Sequence, residues 1–241
     1  MREKNERIFG PEDLKDLSPE QVIELYESQN NEEKKEIKKK SINKFQHYYI
    51  ENPETELTVR TLTLTLKNGH TYLFKAPSGV YGKKEIDKAT MVLLENVEIE
   101  GKKILDIGCG YGIIGITLKK EYPDIEIYMS DINKRAVEFS KINAKDNNIF
   151  ADIRQGYLFE PWENEEFDQI ISNPPIVAGK KVWMKLIEDA FVHLKNGGTL
   201  QLVAFHNKGG SRIKDYMKKV FGNVNEIVKK GGIRLYKSVK V

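Results

Sequence analysis

Cysteine, histidine and long apolar runs are scarce in this sequence of 241 residues. The one cysteine, Cys109, excludes a disulfide within the chain and a multi-cysteine metal site, and it is typical of a reducing compartment. The four histidines show no spacing typical of metal ligands. No run of ~18 apolar residues occurs, and the opening segment MREKNERIFG lacks an apolar signal core. We therefore expect a cytoplasmic protein with no metal ion and no membrane partner.

Acidic and basic residues nearly balance, at a net charge of +3, but the basic residues are unevenly distributed. One lysine-rich cluster spans residues 34–44 and a second spans residues 205–241. The basic residues of the second cluster are Lys208, Arg212, Lys214, Lys218, Lys219, Lys229, Lys230, Arg234, Lys237 and Lys240. Only Asp215 and Glu226 oppose them there. Such clusters indicate a polyanionic partner, because lysines that neutralise phosphates release counterions. A solvated lysine-rich surface is the alternative interpretation.

The pattern divides the chain into three predicted parts. Residues 1–46 are polar and helical in pattern, with Ser18 as an N-cap and Pro19 at a first helical position, which predicts a helical N-terminal extension. Residues 47–82 are rich in Thr and Leu and predict a β-hairpin or small sheet. Residues 83–241 form the main domain.

The predicted hairpin has one clear signal and one irregularity. In LTVRTLTLTLKNGHTYLFK, Thr and Leu alternate up to Asn68-Gly69, a pair typical of a two-residue hairpin turn. The alternation slips near Arg60-Thr61, because Val59 and Leu62 would face opposite ways. The slip predicts a bulge or a strand break at that point.

From residue 83 onward the pattern alternates between strand and helix. The predicted strands are 103–107, 125–130, 152–155, 167–172 and 198–205. The predicted helices lie near 87–95, 112–121, 133–146, 180–195 and 210–220. This alternation predicts an α/β fold with a parallel sheet covered on both faces. The final segment NVNEIVKKGGIRLYKSVKV predicts two strands joined at Gly231-Gly232, so an antiparallel hairpin closes the sheet.

The loop DIGCGYGIIG after the first core strand has two interpretations. From Gly110 it matches G-x-G-x-x-G, typical of a dinucleotide whose pyrophosphate meets a helix N-terminus. From Asp106 it is an acid followed by three alternating glycines, which suits S-adenosylmethionine because a carboxylate can bind the cofactor ammonium, directly or through water. Asp131, at the end of the second core strand, can accept bonds from ribose hydroxyls in either case.

The segment SNPPI follows the fourth core strand and favours S-adenosylmethionine. Two prolines fix two φ angles and remove two N–H donors, which leaves the Asn173 side-chain oxygen and the Pro174 carbonyl as acceptors. Two acceptors converging on an NH2 group hold its hydrogens and aim the nitrogen lone pair. The predicted catalytic turn therefore comprises Asn173, Pro174, Pro175 and Ile176.

Taken together, these motifs resemble a known family. The segments HYYIE, SGVY, DKAT, LDIGCGYGIIG, SDIN, SNPPIVAGK and KGGIRLYKS occur in the order typical of class I S-adenosylmethionine-dependent methyltransferases. Within that class the chain from about residue 47 resembles the ribosomal RNA small-subunit methyltransferase C-like family, including its short archaeal members. The resemblance implies a Rossmann-like seven-stranded sheet with an antiparallel last strand, and a target base held at Asn173-Pro174-Pro175. The implied cofactor site comprises Asp106, Gly108, Cys109, Gly110, Tyr111, Gly112, Asp131, Ile132, Tyr157 and Asn173.

Two positions depart from that family. Ile176 stands where many amine methyltransferases have an aromatic ring that stacks on the base. We therefore consider Tyr81, Trp183 and Phe205 as other stacking rings, although a packed core aromatic is the plainer interpretation of each. Tyr157 stands where relatives often have an Asp that bonds adenine, so adenine would be held by backbone groups, Ile132 and Leu158.

The sequence therefore predicts a methyltransferase that modifies a guanine nitrogen in ribosomal or transfer RNA, with exocyclic N2 favoured and N7 next. Within the same class, a protein-glutamine or small-molecule N-methyltransferase is the alternative. An NAD-dependent oxidoreductase using GYGIIG, or a non-catalytic RNA-binding module, would be an interpretation from another class.

Overall fold

The computed structural model of the chain describes residue 51 and residues 56–241. The predicted helical extension at 1–46, its lysine cluster at 34–44 and most of the HYYIE segment lie outside the described residues. No helix in the described part of the chain is long and apolar enough to cross a membrane. Among the same residues, no three His, Cys, Asp or Glu side chains gather as they would around a metal ion.

The predicted hairpin is confirmed, with a different turn. Strands β1 (Val59–Thr65) and β2 (Thr71–Pro77) pair antiparallel. The Leu66 amide donates to the His70 carbonyl at 2.9 Å, so the connection has a third residue besides Asn68-Gly69. Gly69 has φ +87°, the left-handed conformation that such three-residue turns require.

The expected bulge at Arg60-Thr61 was wrong. Strand pairing runs without a shift from Val59 opposite Pro77 to Thr65 opposite Thr71. Leu62 and Leu64 face the core, and Val59 is exposed on the opposite face. Arg60 therefore continues the core-facing row of β1 in place of an apolar residue, because alternate residues of a strand share a face.

The main sheet has seven strands in the order β5-β4-β3-β6-β7-β9-β8. The strands are β3 (Lys103–Ile107), β4 (Glu126–Asp131), β5 (Asp152–Gln155), β6 (Phe167–Ser172), β7 (Leu194–Phe205), β8 (Asn225–Lys230) and β9 (Ile233–Val239). Strands β3 to β7 pair in parallel, and β9 is antiparallel to both β7 and β8. The predicted α/β fold with a reversed last strand is confirmed.

Five helices cover the two faces of the sheet in the described part of the chain. They are α1 (Lys88–Leu94), α2 (Ile113–Glu121), α3 (Lys134–Asp146), α4 (Lys180–His193) and α5 (Gly210–Phe221). The hairpin, α1, α2 and α3 pack in one hydrophobic cluster, and α4 and α5 pack in the other. The chain leaves β3 for β4 on one side and returns to β6 on the other, so the carboxyl ends of β3, β4 and β6 meet where ligands bind in such sheets.

Candidate active site

A cavity of about 400 Å³ opens at the carboxyl ends of β3, β4 and β6. This volume lies within the range of about 300 to 1,000 Å³ typical of small-molecule sites. The predicted site residues that line it are Gly108, Cys109, Gly110, Tyr111, Asp131, Ile132, Tyr157, Asn173 and Pro175. Four others do not line it: Asp106, Gly112, Pro174 and Ile176. We call residues 108–112 with Asp131 the cofactor wall.

Backbone conformation explains the first two glycines of the cofactor wall. Gly108 and Gly110 have φ values of +71° and +57°, which residues with a side chain rarely adopt. A Cβ on Gly108 would meet no atom within 4 Å, and one on Gly110 would approach only Val80, at 3.8 Å. Both positions line the cavity, so bare backbone leaves room for a ligand to lie against the loop. The loop therefore fits a nucleoside-bearing cofactor.

The later glycines of the loop serve packing. A Cβ on Gly112 would lie 2.7 Å from Ile116 Cδ1, and one on Gly115 would lie 2.5 Å from Met129 Sδ. Gly115 thus lets α2 pack closely on β4, a need shared by dinucleotide and S-adenosylmethionine enzymes. This common packing requirement explains why the glycine spacing alone leaves two interpretations.

Asp131 ends β4 and lines the cavity, and two backbone amides fix its carboxylate. Its Oδ2 accepts the Gly110 amide at 2.9 Å and its Oδ1 accepts the Asn133 amide at 2.9 Å. Burial raises the pKa of Asp131, and the two amides act in the opposite direction. Each carboxylate oxygen can accept a second hydrogen bond, so the side chain can fix the loop and still bind hydroxyls.

Asp106 lies beneath the loop and has no exposed surface. Its Oδ2 accepts the Gly115 amide at 3.0 Å in the first turn of α2. This bond caps the helix, because the N-cap residue Gly112 has no side chain to do so. The Oδ1 atom is buried without a hydrogen-bond partner among the described residues. Burial, with a smaller effect of Asp131, raises the pKa of Asp106 to about 7. Direct contact with a cofactor ammonium finds no support, while contact through water stays a prediction.

Cys109 and Tyr111 are structural members of the same wall. The Cys109 thiol is buried near Ser140, and burial raises its pKa well above its ordinary value. A thiol held neutral in this way is a poor nucleophile. The Tyr111 carbonyl accepts the side-chain amide of Asn143 at 2.8 Å, which ties the loop to α3.

The residues predicted to hold adenine are among those that line the cavity. Ile132, Tyr157 and Leu158 line it together with Gly156. Leu158 has φ +49°, a left-handed value unusual for a residue with a branched side chain. The Tyr157 amide donates to Glu160 Oε2 at 3.2 Å, which holds this short loop in place.

Asn173, at the end of β6, is fixed by helix α1. Its Nδ2 donates to Asp87 Oδ2 at 2.9 Å and to Thr90 Oγ1 at 3.0 Å. A carboxylate only accepts hydrogen bonds, so the amide nitrogen must face Asp87. Asn173 lines the cavity, and the atom it offers there is the carbonyl oxygen. We call Asn173, Pro174, Pro175, Asp87 and Thr90 the acceptor wall.

The prolines form a tight turn after Asn173. The Pro174 carbonyl accepts the Ile176 amide at 2.8 Å, and Pro175 has φ −74° and ψ +77°, as in an inverse γ-turn. A carbonyl has two lone pairs, so this bond leaves one for a ligand. The Ile176 side chain packs with the α4 and α5 cluster, against Gly209. Ile176 is therefore a packing residue in this structure.

Of the three rings considered for base stacking, only Tyr81 lines the cavity. Tyr81 is 42% exposed, and its hydroxyl lies 3.3 Å from Asp87 Oδ1. Trp183 is 4% exposed and packs edge-on against Tyr216. Phe205 packs against the core cluster of the other face. The plain interpretation holds for Trp183 and Phe205, and Tyr81 is the ring placed to meet a base.

Asp87 is the site residue whose role the sequence did not reveal. It is the N-cap of α1 and accepts the amides of Ala89 and Thr90, as well as Asn173 and Tyr81. The segment DKAT contains the signal, an Asp before a helix, but a cap alone does not indicate a catalytic neighbour. Its link to Asn173 spans 86 positions of the chain.

Several basic side chains of the C-terminal region form ion pairs within the protein. Lys214, Lys229 and Arg234 all pair with Glu226. Lys237 pairs with Glu98 and Glu100, both at 2.7 Å. These four cations face three carboxylates within the fold, so the count of basic residues overstates the charge available to a partner.

The sheet order and the cavity at the strand ends are those of a Rossmann-like α/β fold, which binds ligands at this edge of the sheet. The chain matches the methyltransferase small domain over residues 71–237 and belongs to that family. This is a family of S-adenosylmethionine-dependent methyltransferases, so the predicted enzyme class and cofactor are confirmed. The ambiguity of the glycine loop is thereby resolved against NAD.

Several relatives share most of the described chain. The protein YbxB of Bacillus subtilis, whose name gives no function, is 38% identical over 81% of this chain and 99% of its own. Ribosomal RNA small subunit methyltransferase C of Stutzerimonas stutzeri is 30% identical over 78% of this chain and 57% of its own, and that of Haemophilus influenzae is 32% identical over 67% and 49%. The chain thus spans about half the length of these methyltransferases.

Solved structures share the fold. A T. thermophilus 16S rRNA N2 methyltransferase, solved with AdoMet and guanosine, has a TM-score of 0.66 and 21% identity over 78% of this chain and 52% of its own. A methyltransferase from Pyrococcus furiosus has a TM-score of 0.57 and 22% identity over 64% of this chain and 84% of its own.

Proposed function

We propose that this chain methylates the exocyclic N2 amine of a guanine in ribosomal RNA. Guanine N7 and a transfer RNA substrate are the neighbouring possibilities that the experiment below separates. Support comes from the relatives named ribosomal RNA small subunit methyltransferase C and from the structural neighbour solved with guanosine.

The orientation of the Asn173 amide carries the proposal. Asp87 and Thr90 engage its nitrogen, so its oxygen serves as an acceptor in the cavity. The Pro174 carbonyl lies in the adjoining turn with a second lone pair. Two acceptors suit an NH2 group, which has two hydrogens to donate, whereas guanine N7 has none.

Each wall has a separate task in this proposal. The cofactor supplies an electrophilic methyl group when bound, and Asp131 and the glycine loop hold its ribose and methionine portions. Asn173 Oδ1, which lines the cavity, accepts one amine hydrogen. The Pro174 carbonyl, which does not line the cavity in this structure, accepts the other once the base is bound, and the two bonds together aim the nitrogen lone pair. Alignment of the reacting atoms and exclusion of water then account for most of the rate. Tyr81 covers the base at the mouth of the cavity.

RNA as the substrate is supported by cations beside the acceptor wall. Lys180 and Lys181 are exposed and follow closely after Ala178 of the cavity. Lys208 and Arg212 are exposed and flank Gly209, which contacts Ile176. None of the four forms an ion pair within the part of the chain that the structure describes. A guanine in a loop or single strand reduces the cost of flipping the base into the cavity.

The test uses isotope-labelled S-adenosylmethionine with separate pools of unmodified ribosomal and transfer RNA. Each pool is digested, and the labelled nucleoside is identified by mass spectrometry. Label on the guanosine exocyclic amine of ribosomal RNA supports the proposal. Label on guanine N7 would contradict the proposal that N2 is the methylated nitrogen. Label in transfer RNA alone would contradict ribosomal RNA as the substrate. Label in neither pool, but in added protein, would favour a glutamine amide instead.

A further inference from the structure

A second, smaller cavity lies between the base of the hairpin and the loop that follows it. Its volume is about 130 Å³, and it is lined by Thr58, Arg60, Ala76, Ser78, Lys83 and Lys84. We call it the cationic pocket. Among the described residues that line it, three of six are cations and none is acidic. Arg60, Lys83 and Lys84 form no ion pair with any residue that the structure describes.

Arg60 is at an unexpected place in the hairpin. The core-facing row of β1 and its ends runs Thr58, Arg60, Leu62, Leu64 and Leu66, and Leu64 and Leu66 are buried. A hairpin that needed only to pack would favour an apolar residue at Arg60. The same cation causes the slip in alternation along the sequence. A cation that takes the place of an apolar side chain in a strand, and has no ion-pair partner there, indicates a functional position.

One loop borders both the cationic pocket and the active-site cavity. Ser78 lines the cationic pocket, residues 80–82 line the active-site cavity, and Lys83 and Lys84 line the cationic pocket again. The two sites therefore share a single stretch of backbone, which includes Tyr81 of the active site.

The loop is anchored at three points, so the two sites keep a fixed relation. Asn133 Nδ2 donates to the Gly79 carbonyl at 2.8 Å, and Arg135 Nη1 donates to the Ser78 carbonyl at 2.9 Å. The Tyr111 hydroxyl donates to the Gly82 carbonyl at 3.4 Å. A group bound in the cationic pocket is thus held at a defined position relative to a base in the cavity.

We propose that the cationic pocket binds a backbone phosphate of the RNA strand, adjacent to the nucleotide whose base enters the active-site cavity. Two lysines and an arginine, with the hydroxyl of Thr58, match the charge and acceptor oxygens of a phosphodiester. A polynucleotide presents a base and a neighbouring phosphate at a fixed spacing, which suits two sites on one loop. The inference rests on the proposed RNA substrate. In it, these residues determine which nucleotide of the RNA strand lies at the active-site cavity.

The test compares two triple variants that each remove three positive charges. The test variant is Arg60→Gln, Lys83→Gln and Lys84→Gln. The control is Lys120→Gln, Lys141→Gln and Lys145→Gln, at exposed positions that line neither the active-site cavity nor the cationic pocket. RNA affinity is measured by fluorescence anisotropy with an unmodified ribosomal RNA fragment over a series of salt concentrations. S-adenosylmethionine affinity is measured by calorimetry, and circular dichroism checks the fold.

We expect the test variant to bind RNA about tenfold more weakly at low salt, with a shallower salt dependence, while the control changes little. S-adenosylmethionine affinity should stay unchanged in both variants. Equal RNA affinities in the wild type and the test variant would overturn the inference. Equal weakening by both triple variants would reduce it to general charge attraction and also overturn it.

Two further outcomes separate this inference from the proposed function. If the wild type binds RNA through the pocket but methylates none, the proposed reaction fails and the phosphate site stands. The pocket could also bind a free phosphate ion, which has the same chemistry as an RNA backbone phosphate. A titration with inorganic phosphate alone distinguishes the two ligands. Binding of inorganic phosphate that the test variant abolishes, with RNA affinity unaltered, would assign the pocket to a free anion and overturn the inference.

Discussion

The cofactor wall and the acceptor wall of the active site are held in place by different means. In the cofactor wall, the Gly108 and Cys109 amides donate to the Ser130 carbonyl, and the Gly110 amide donates to Asp131. In the acceptor wall, Asn173 is oriented by two side chains of the α1 region, Asp87 and Thr90. One wall thus depends on several main-chain bonds between adjacent strands, and the other depends on a pair of side-chain bonds to a distant helix.

This difference separates two kinds of effect. Loss of one bond in the cofactor wall leaves other main-chain bonds to hold the loop, so binding weakens without misplacing the acceptor. A change in the acceptor wall alters the direction of a single amide, so we expect turnover to fall while cofactor binding persists. Cofactor affinity and turnover therefore report on the two walls separately.

The largest effect should come from Asn173→Ala. In the proposed function the variant lacks one of the two acceptors for the amine. We therefore expect turnover to fall about 100-fold or more, as for loss of one preorganised group in other sites. S-adenosylmethionine affinity by calorimetry should remain near the wild-type value. Ile176→Val, in the same turn but outside the cavity, is the matched control. Wild-type turnover in Asn173→Ala would show that the acceptor lies elsewhere.

Asp131→Asn should break the cofactor wall. One amide oxygen replaces two charged oxygens, so one of the Gly110 and Asn133 amides loses its acceptor and the ribose loses a charge-assisted bond. Loss of about 1.5 to 3 kcal/mol corresponds to about 10- to 100-fold weaker cofactor binding. Turnover at saturating cofactor should change much less. A fall in turnover with unchanged affinity would contradict the separation of the two walls.

Asp87→Asn should weaken the acceptor wall without breaking it. Asparagine is as good an N-cap as aspartate, so α1 should persist, while the bond to Asn173 loses its charge. We expect about tenfold lower turnover with an unchanged melting temperature and cofactor affinity. Lys88→Gln, on the same helix and exposed, is the control. If Asp87→Ala and Asp87→Asn lower turnover equally, the orientation of the Asn173 amide is not what Asp87 provides.

The same contrast explains what could be predicted from the sequence. Most strand and helix bounds and the cavity position follow from short segments in which each constraint is local. The Gly108 and Gly110 backbone, and Asp131 at a strand end, belong to this set. The start of β7 does not, because the strand begins at Leu194, where the sequence predicted a helix up to residue 195 and a strand only from residue 198. The link from Asp87 to Asn173 could not be found in this way, because a helix cap has the same sequence signature whether or not a distant side chain also binds it.

Burial and charge neutralisation were likewise beyond local patterns. Asp106 was expected to face the cofactor, but it lies under the loop, because a strand-end pattern does not determine on which side of the loop the carboxylate emerges. The slip in alternation at Arg60 predicted an irregular strand. The strand pairs without a shift, and the unusual feature is a cation in its core-facing row. The predicted basic surface did not anticipate that Glu226 gathers three of its cations.

The smallest effect concerns stability and sharpens the contrast between Asp106 and Asp131. The pKa of Asp106 is raised to about 7, against about 3.9 in an unfolded chain. The folded form therefore holds the proton more tightly, so its contribution to stability is complete below pH 4 and is lost as the pH rises through 7. Asp106→Asn does not titrate and should keep the Gly115 bond. The quantity to follow is the difference between the two melting temperatures, variant minus wild type. We expect this difference to increase by a few degrees from pH 5 to pH 8.

Other titrating groups are common to both proteins, so they cancel in this difference. A constant difference across the range would mean that Asp106 is already ionised at pH 5. Repeating the measurement with saturating S-adenosylmethionine tests the remaining prediction for this residue. A cofactor ammonium that reaches Asp106 through water would favour the charged carboxylate and lower its pKa, so the increase between pH 5 and pH 8 should shrink. An increase of the same size with and without cofactor would limit Asp106 to capping α2, and would leave Asp131 as the acid of this site that meets the cofactor.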